Sequence, residues 1–204
     1  MHLVPTQEEV VALLEKSGAL RRGHFEYPNG KHASELLQVP LAMRYYQHAK
    51  VLSVGLSRLV RARPEMRAII PSLSIVAPAT GGLPVAYGVC EALRAHQVYW
   101  AEPEDAGGAL RFRTFLEPLP GEKVLLIDDI LRTGTKLSEL KRLVESNGAE
   151  VVGTATVVWQ PAPNGNGFGQ APLCYLAKVD EFVYQDPASC GLCKRGVPLV
   201  RVYV

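Results

Sequence analysis

The apolar and polar positions along the chain follow two different periods. Short, continuous apolar runs are typical of strands that are buried on both faces of a parallel sheet. The predicted strands lie at residues 74–77, 98–101, 124–127 and 150–159. Apolar residues spaced three and four apart predict helices at residues 7–16, 45–63, 85–95 and 135–147. Because the strands alternate with helices, the pattern predicts an α/β fold with right-handed connections and a mostly parallel sheet.

The segment at residues 124–137 combines an apolar run, two adjacent acids and a short turn before a helix. Asp128 and Asp129 are predicted at the carboxyl end of a buried strand, where open α/β sheets bind ligands. The following turn offers backbone N–H groups and hydroxyls that suit a phosphate. It contains Arg132, Thr133, Gly134, Thr135 and Lys136. Since carboxylates repel a phosphate but accept hydrogen bonds from ribose hydroxyls, the combination predicts a sugar-phosphate site.

A second loop, at residues 77–84, also follows a predicted strand and precedes a predicted helix. Gly81 and Gly82 let the backbone approach a ligand closely, and the N–H groups beside Thr80 could hold a diphosphate. Together, the two loops offer one site for a 5′-phosphate and another for a diphosphate.

The segment at residues 124–137 resembles the 5-phosphoribosyl-1-diphosphate (PRPP) motif of type I phosphoribosyltransferases. Residues 17–25 and 29–32, and the ending at 190–198, are similar to orotate phosphoribosyltransferases. The resemblance implies a type I phosphoribosyltransferase fold, in which helices flank a central sheet and the chain ends form a small hood. It divides the chain into an N-terminal helix and hood segment (1–44), a PRPP-binding α/β core (45–172) and a C-terminal hood or tail (173–204).

The resemblance also implies Mg²⁺-dependent transfer of phosphoribosyl from PRPP to a nucleobase, with orotate as the expected base, and a homodimer. Asp128 and Asp129 would contact the ribose hydroxyls, directly or through water bound to Mg²⁺. Residues 132–136 would hold the 5′-phosphate, and residues 80–82 the diphosphate. Glu102 begins a polar segment (102–113) that is predicted to be a mobile lid around Gly107 and Gly108, and it is counted among the catalytic candidates.

Three positions depart from the cations that are usual in this family: Pro28, Pro103 and Gln160. Lys31 and Gln160 remain candidate contacts to the base, and Gln160→Arg is expected to improve the use of orotate. The cations that could compensate are Lys31, Arg111, Arg113 and Arg132. Two alternatives stay open: a phosphoribosyltransferase for another base, and a regulator that binds PRPP or a nucleotide without turnover.

Composition narrows the remaining classes of function. The chain has 204 residues, of which 48% are hydrophobic and 21% charged, and its net charge is +2. This charge is too small to argue for a nucleic-acid or membrane-surface partner. No apolar run approaches the roughly 18 residues of a membrane span, so a cytoplasmic location is expected.

The cysteine pair Cys190-Gly-Leu-Cys193 has the spacing of two metal ligands. A structural zinc needs four ligands, and the sequence shows no second pair of this kind. Cys174 could add a third only if the fold brings it near. We therefore expect Cys190 and Cys193 to be structural thiols and not metal ligands.

Overall fold

The computed structural model describes residues 4–105, 108–161, 172–180, 183–184 and 186–202. Its helices are Gln7–Lys16 (α1), Pro40–Met43 (α2), Tyr46–Arg61 (α3), Pro64–Arg67 (α4), Gly82–Leu93 (α5), Thr135–Ser146 (α6) and Gly191–Lys194 (α7). Its strands are Leu20–Glu26 (β1), His32–Leu37 (β2), Ser74–Pro78 (β3), Gln97–Pro103 (β4), Leu110–Arg111 (β5), Lys123–Leu131 (β6), Glu150–Trp159 (β7), Leu173–Lys178 (β8), Val183–Tyr184 (β9) and Val200–Arg201 (β10). Among these helices, none is both long and apolar enough to cross a lipid bilayer.

The core is a six-stranded sheet in the order β5-β4-β3-β6-β7-β8. Its neighbouring strands pair in parallel, except for the antiparallel pair β4 and β5. The apolar run of β6 alternates between two buried clusters. Leu125 and Ile127 belong to the cluster that contains α3 and α5, whereas Val124 and Leu126 belong to the one that contains α6. Burial on both faces explains the continuous apolar runs and confirms the predicted α/β fold.

A second, four-stranded sheet in the order β10-β1-β2-β9 is built from the two ends of the chain. We call this sheet, together with α7, the hood. The predicted boundary at residue 173 differs from the strand pairing, because β8 pairs in parallel with β7 and belongs to the core sheet. The N-terminal helix α1 also contributes Val10 and Leu14 to the main buried cluster.

Helices α1 and α5 show how capping residues and a proline determine where a helix begins. Helix α1 has its predicted bounds, and Thr6 and Glu9 form a reciprocal capping box at its start. Helix α5 begins at Gly82, three residues before the prediction. The sequence predicts a loop through Pro84, but a proline is tolerated in the first turn of a helix because its missing N–H has no partner to lose there.

The polar segment after β4 forms the predicted hairpin, in which Glu102 pairs with Arg111 and Pro103 with Leu110. Gly107 lies outside the described residues. The mobility of this hairpin stays a prediction.

Candidate active site

A cleft of about 530 Å³ lies at the carboxyl ends of β3 and β6. Its walls come from residues within 37–41, 78–81 and 128–137. Both loops that were predicted to bind a ligand therefore meet in one cavity, and the segment after hood strand β2 covers one side. This is the edge of the sheet at which α/β proteins bind ligands.

Asp128 lies in the wall of this cleft and is 7% exposed. Its Oδ1 accepts a hydrogen bond of 2.9 Å from the backbone N–H of Asp129. Burial, followed by the neighbouring charge of Asp129, raises the pKa of the Asp128 carboxyl well above its usual value. The strand continues past its predicted end at residue 127, so both acids lie within β6, which runs to Leu131. Two adjacent carboxyl groups in this partly buried position carry an electrostatic cost that a bound cation or hydroxyl donor would relieve.

The paired glycines bring the 78–82 loop against these acids. A Cβ added to Gly81 would lie 3.1 Å from Asp129 Oδ1, and one added to Gly82 would lie 3.2 Å from Asp128 Oδ1. The peptide bond between Ala79 and Thr80 is cis. Glycine suits these positions because a side chain would fit only if the loop or the carboxyl groups shifted by a few tenths of an ångström.

The turn after β6 is arranged as a cradle at the start of α6. Gly134 has a φ of +77°, a left-handed conformation that favours glycine, and it forms the N-cap of α6. The hydroxyls of Thr133 and Thr135 lie 3.1 Å apart, and both side chains are exposed, as is Lys136. The helix N-terminus adds partial positive charge, so this turn suits an anion.

Arg132 is held in the wall of the cleft by contacts from two regions. Its Nε donates a 2.7 Å hydrogen bond to Gln160 Oε1, and its Nη2 donates a 3.2 Å bond to the carbonyl of Leu37. Its guanidinium carbon lies 5.9 Å from the centre of the Tyr27 ring. Arg132 therefore brings a fixed positive charge to the cleft.

Comparisons with known proteins agree with this geometry. Residues 70–167 match the family model described as a phosphoribosyl transferase domain. The orotate phosphoribosyltransferase of Thermotoga maritima is 33% identical over 91% of this chain and 92% of its own length. That of Carboxydothermus hydrogenoformans is 34% identical over 92% of each chain.

The chain belongs to the orotate phosphoribosyltransferase family. A solved structure of orotate phosphoribosyltransferase from Aeropyrum pernix, 22% identical, has the same fold with a TM-score of 0.64. The matched region covers 83% of this chain and 93% of the Aeropyrum pernix chain. The recognition of the family and of its fold from the sequence is confirmed.

Two residues expected at the family's base site do not line the cleft. Gln160 is 2% exposed, and its side-chain oxygen accepts from Arg132, so the structure gives it a role in positioning that arginine. Lys31 lies at the end of the β1–β2 turn, where its backbone N–H donates to Asn29 Oδ1 at 3.1 Å. Contact of either residue with a base stays a prediction.

Glu102 also lies outside the walls of the cleft. Its carboxylate pairs with Arg113 at 2.8 Å and accepts a 3.1 Å hydrogen bond from Trp100 Nε1. The hydrogen bond from Arg113 lowers the pKa of Glu102. Arg111 similarly pairs with Glu104 at 2.9 Å. The two arginines of the hairpin are therefore engaged with acids of the same hairpin, whereas Arg132 and Lys136 face the cleft.

The sequence shows only one pair of potential metal ligands, Cys190 and Cys193, but the structure places a second pair beside it. Cys174 lies in core strand β8, away from the pair, but His24 and His32 lie beside Cys190 and Cys193 and supply a second pair of potential ligands. Both histidines fall within segments that resemble the family, yet they are far from the cysteines in sequence. Their proximity becomes evident only when strands β1 and β2 pair.

Proposed function

We propose that the chain transfers the 5-phosphoribosyl group of PRPP to orotate and releases diphosphate. One observation carries this proposal: Gly81 and Gly82 bring one anion-binding loop so near the two acids before the other that an added Cβ would lie 3.1–3.2 Å from a carboxylate oxygen. A sugar with a phosphate at one end and a diphosphate at the other fits such a pair of loops. The named relatives support orotate as the acceptor.

Each part of the cleft then has a distinct role. The turn at residues 132–136 holds the 5′-phosphate, and residues 80–82 hold the diphosphate. Asp128 and Asp129 accept hydrogen bonds from the ribose hydroxyls. During transfer, the bond from ribose C1 to the diphosphate oxygen breaks, and a bond from C1 to a ring nitrogen of orotate forms while that nitrogen loses its proton to water. The fixed groups of the cleft lower the barrier by orienting both reactants and by balancing charge as the diphosphate leaves.

The two acids also fit a bound Mg²⁺. Hard divalent cations prefer carboxylate oxygens, and a cation would offset the electrostatic cost that raises the pKa of Asp128. Mg²⁺ at this position would neutralise charge on the departing diphosphate. Mg²⁺ dependence, a homodimer and a cytoplasmic location are parts of this proposal.

Arg132 supplies the positive charge that Pro28, Pro103 and Gln160 do not. It is oriented by a neutral amide and a backbone carbonyl, so its charge is not cancelled by those two partners. An anionic pair of substrates is therefore compatible with this cleft. Orotate use depends on this arginine more than on any group of the β4–β5 hairpin.

The test is a panel of bases, comprising orotate, uracil, adenine and hypoxanthine, each with PRPP and Mg²⁺. Diphosphate release is measured, and a parallel reaction contains a chelator. We expect release to be fastest with orotate and to stop with the chelator. Faster release with another base would reassign the acceptor. PRPP binding without release from any base would favour the regulator.

A further inference from the structure

Four side chains of the hood converge on one small volume. The metal-binding atoms of His24, His32, Cys190 and Cys193 all lie within 4.8 Å of one another. The distance from His24 Nε2 to His32 Nδ1 is 2.9 Å, and each cysteine sulfur lies 3.5 Å from His24 Nε2. The Cys193 sulfur is 3.3 Å from His32 Nδ1.

The four individual separations, 2.9–3.5 Å, are close to those of a tetrahedral zinc site. With Zn–S bonds of about 2.3 Å and Zn–N bonds of about 2.0–2.1 Å, ligand atoms lie roughly 3.3 Å apart for N–N and roughly 3.5 Å for N–S. Three of the four residues, His24, His32 and Cys190, are at most 2% exposed. Four protein ligands and little contact with solvent are typical of a structural site and not of a catalytic one.

The local backbone presents the four side chains to a common point. Strand β1 has an irregular register between Arg22 and Phe25, which places His24 at a bulge beside β2. His32 begins β2. Cys190 is the N-cap of α7 and Cys193 lies within that helix, and the N–H of Lys194 donates to the Cys190 carbonyl at 3.2 Å.

The second nitrogen of His24 is also arranged as a metal site requires. Its Nδ1 lies 2.9 Å from the carbonyl oxygen of Val197. A carbonyl only accepts, so Nδ1 carries the proton and Nε2 offers a lone pair to the centre of the cluster. A metal-bound histidine commonly donates its other N–H to a carbonyl in this way.

Hydrogen bonding among neutral groups accounts for the cluster less well. His24 Nε2 has a single lone pair but faces His32 Nδ1 and two sulfur atoms. Both cysteines are free, so a disulfide does not explain their proximity. A central cation would use all four lone pairs at once, and two thiolates would balance the charge of Zn²⁺ in a buried position.

We propose that His24, His32, Cys190 and Cys193 bind a structural Zn²⁺. The ion clamps the end of the chain onto the β1–β2 hairpin, joining residues that are 158 to 169 positions apart. Because the same hairpin supplies Leu37 and Tyr27 to Arg132, the clamp stabilises one wall of the cleft. It takes no part in phosphoribosyl transfer.

The first experiment measures metal content by mass spectrometry. Protein is produced with added zinc and purified under reducing conditions without a metal-affinity tag. We expect about one zinc per chain in the wild type, and a loss of most of it in Cys193→Ser and His24→Gln. Cys174→Ser is the matched control and should keep its zinc. Asp128→Asn with Asp129→Asn should keep it too, which separates this site from the Mg²⁺ site.

The second experiment uses the wild type alone, so it does not depend on the folding of a variant. Replacement of the metal by Co²⁺ should give the intense visible bands of a tetrahedral ion and a thiolate charge-transfer band. A strong chelator should lower the melting temperature by about 5 °C or more. Wild-type protein that holds no stoichiometric zinc and shows no such cobalt spectrum would overturn the proposal, as would stoichiometric iron in place of zinc.

Discussion

Asp128 in the cleft and His24 in the hood are both buried polar side chains, but their surroundings differ. Burial, followed by the charge of the adjacent Asp129 carboxyl group, raises the pKa of Asp128. His24 has a carbonyl at one ring nitrogen and potential ligands at the other. The two carboxyl groups of the cleft therefore carry an electrostatic cost that a bound ligand can relieve. The hood cluster instead presents four potential ligands to a single metal ion. Changes in the cleft should alter ligand binding, and changes in the hood should alter stability.

The largest expected effect, on PRPP binding, comes from removing both carboxylate charges of the cleft. Asp128→Asn with Asp129→Asn should weaken PRPP binding at least about 100-fold, because two charge-assisted hydrogen bonds of about 1.5–3 kcal/mol each are lost. Calorimetric titration measures the affinity, and circular dichroism checks the fold. Glu145→Gln, which removes an exposed acid that pairs with Lys141, is the control. Unchanged PRPP affinity in a folded double variant would contradict the assignment of these acids.

A smaller loss of activity is expected when one methyl group is added to a glycine of the cleft, and almost none when it is added to a glycine of the hood. In Gly82→Ala the new Cβ meets Asp128 Oδ1 and the Ile127 carbonyl at 3.2 Å, so the loop must shift. We expect kcat/KM to fall about 10- to 100-fold, since reacting groups would be displaced. In Gly191→Ala of the hood, the new Cβ would meet, among the described residues, only the Tyr184 hydroxyl, at 3.8 Å, and the rate should hardly change. Equal rates for the two variants would remove this distinction between the regions.

Gln160→Arg probes the residue that joins the two regions. The sequence alone predicts that this change improves the use of orotate. The structure predicts the reverse, because a second guanidinium would replace the oxygen that accepts from Arg132. We expect kcat/KM with orotate to fall about 10-fold, or about 1.4 kcal/mol. Gln160→Leu, which removes the acceptor without adding charge, should cause a smaller loss. A faster Gln160→Arg variant would restore the interpretation of Gln160 as a base contact.

The smallest effect concerns stability without ligand or Mg²⁺. In the unfolded chain the Asp128 carboxyl has a pKa of about 3.9, and folding raises it. The folded chain therefore binds more protons, and the contribution of Asp128 to stability falls as the pH rises from about 4 until it passes the folded pKa. Asparagine does not titrate, so Asp128→Asn should gain stability relative to the wild type between pH 4 and 7. Urea unfolding measures the difference, and a variant that loses stability relative to the wild type over this interval would contradict it.

The sequence predicts the cleft well because its parts are local. Asp128 to Lys136 form one continuous segment from the second half of β6 to the start of α6, and Gly81 and Gly82 follow β3. The contact between Arg132 and Gln160 was not predictable, since it depends on how two side chains 28 positions apart are oriented. The hood cluster was missed for a similar reason. The spacing of Cys190 and Cys193 indicates one pair of ligands, but the bulge in β1 and the pairing with β2 are needed to bring His24 and His32 beside it.

The most direct test of the central claim is a crystal structure of the protein with PRPP and Mg²⁺. It should show the 5′-phosphate at residues 132–136, the diphosphate at residues 80–82 and the ribose hydroxyls beside Asp128 and Asp129. The guanidinium of Arg132 should remain on Gln160. PRPP bound elsewhere, or bound with its two ends exchanged between the loops, would contradict the account.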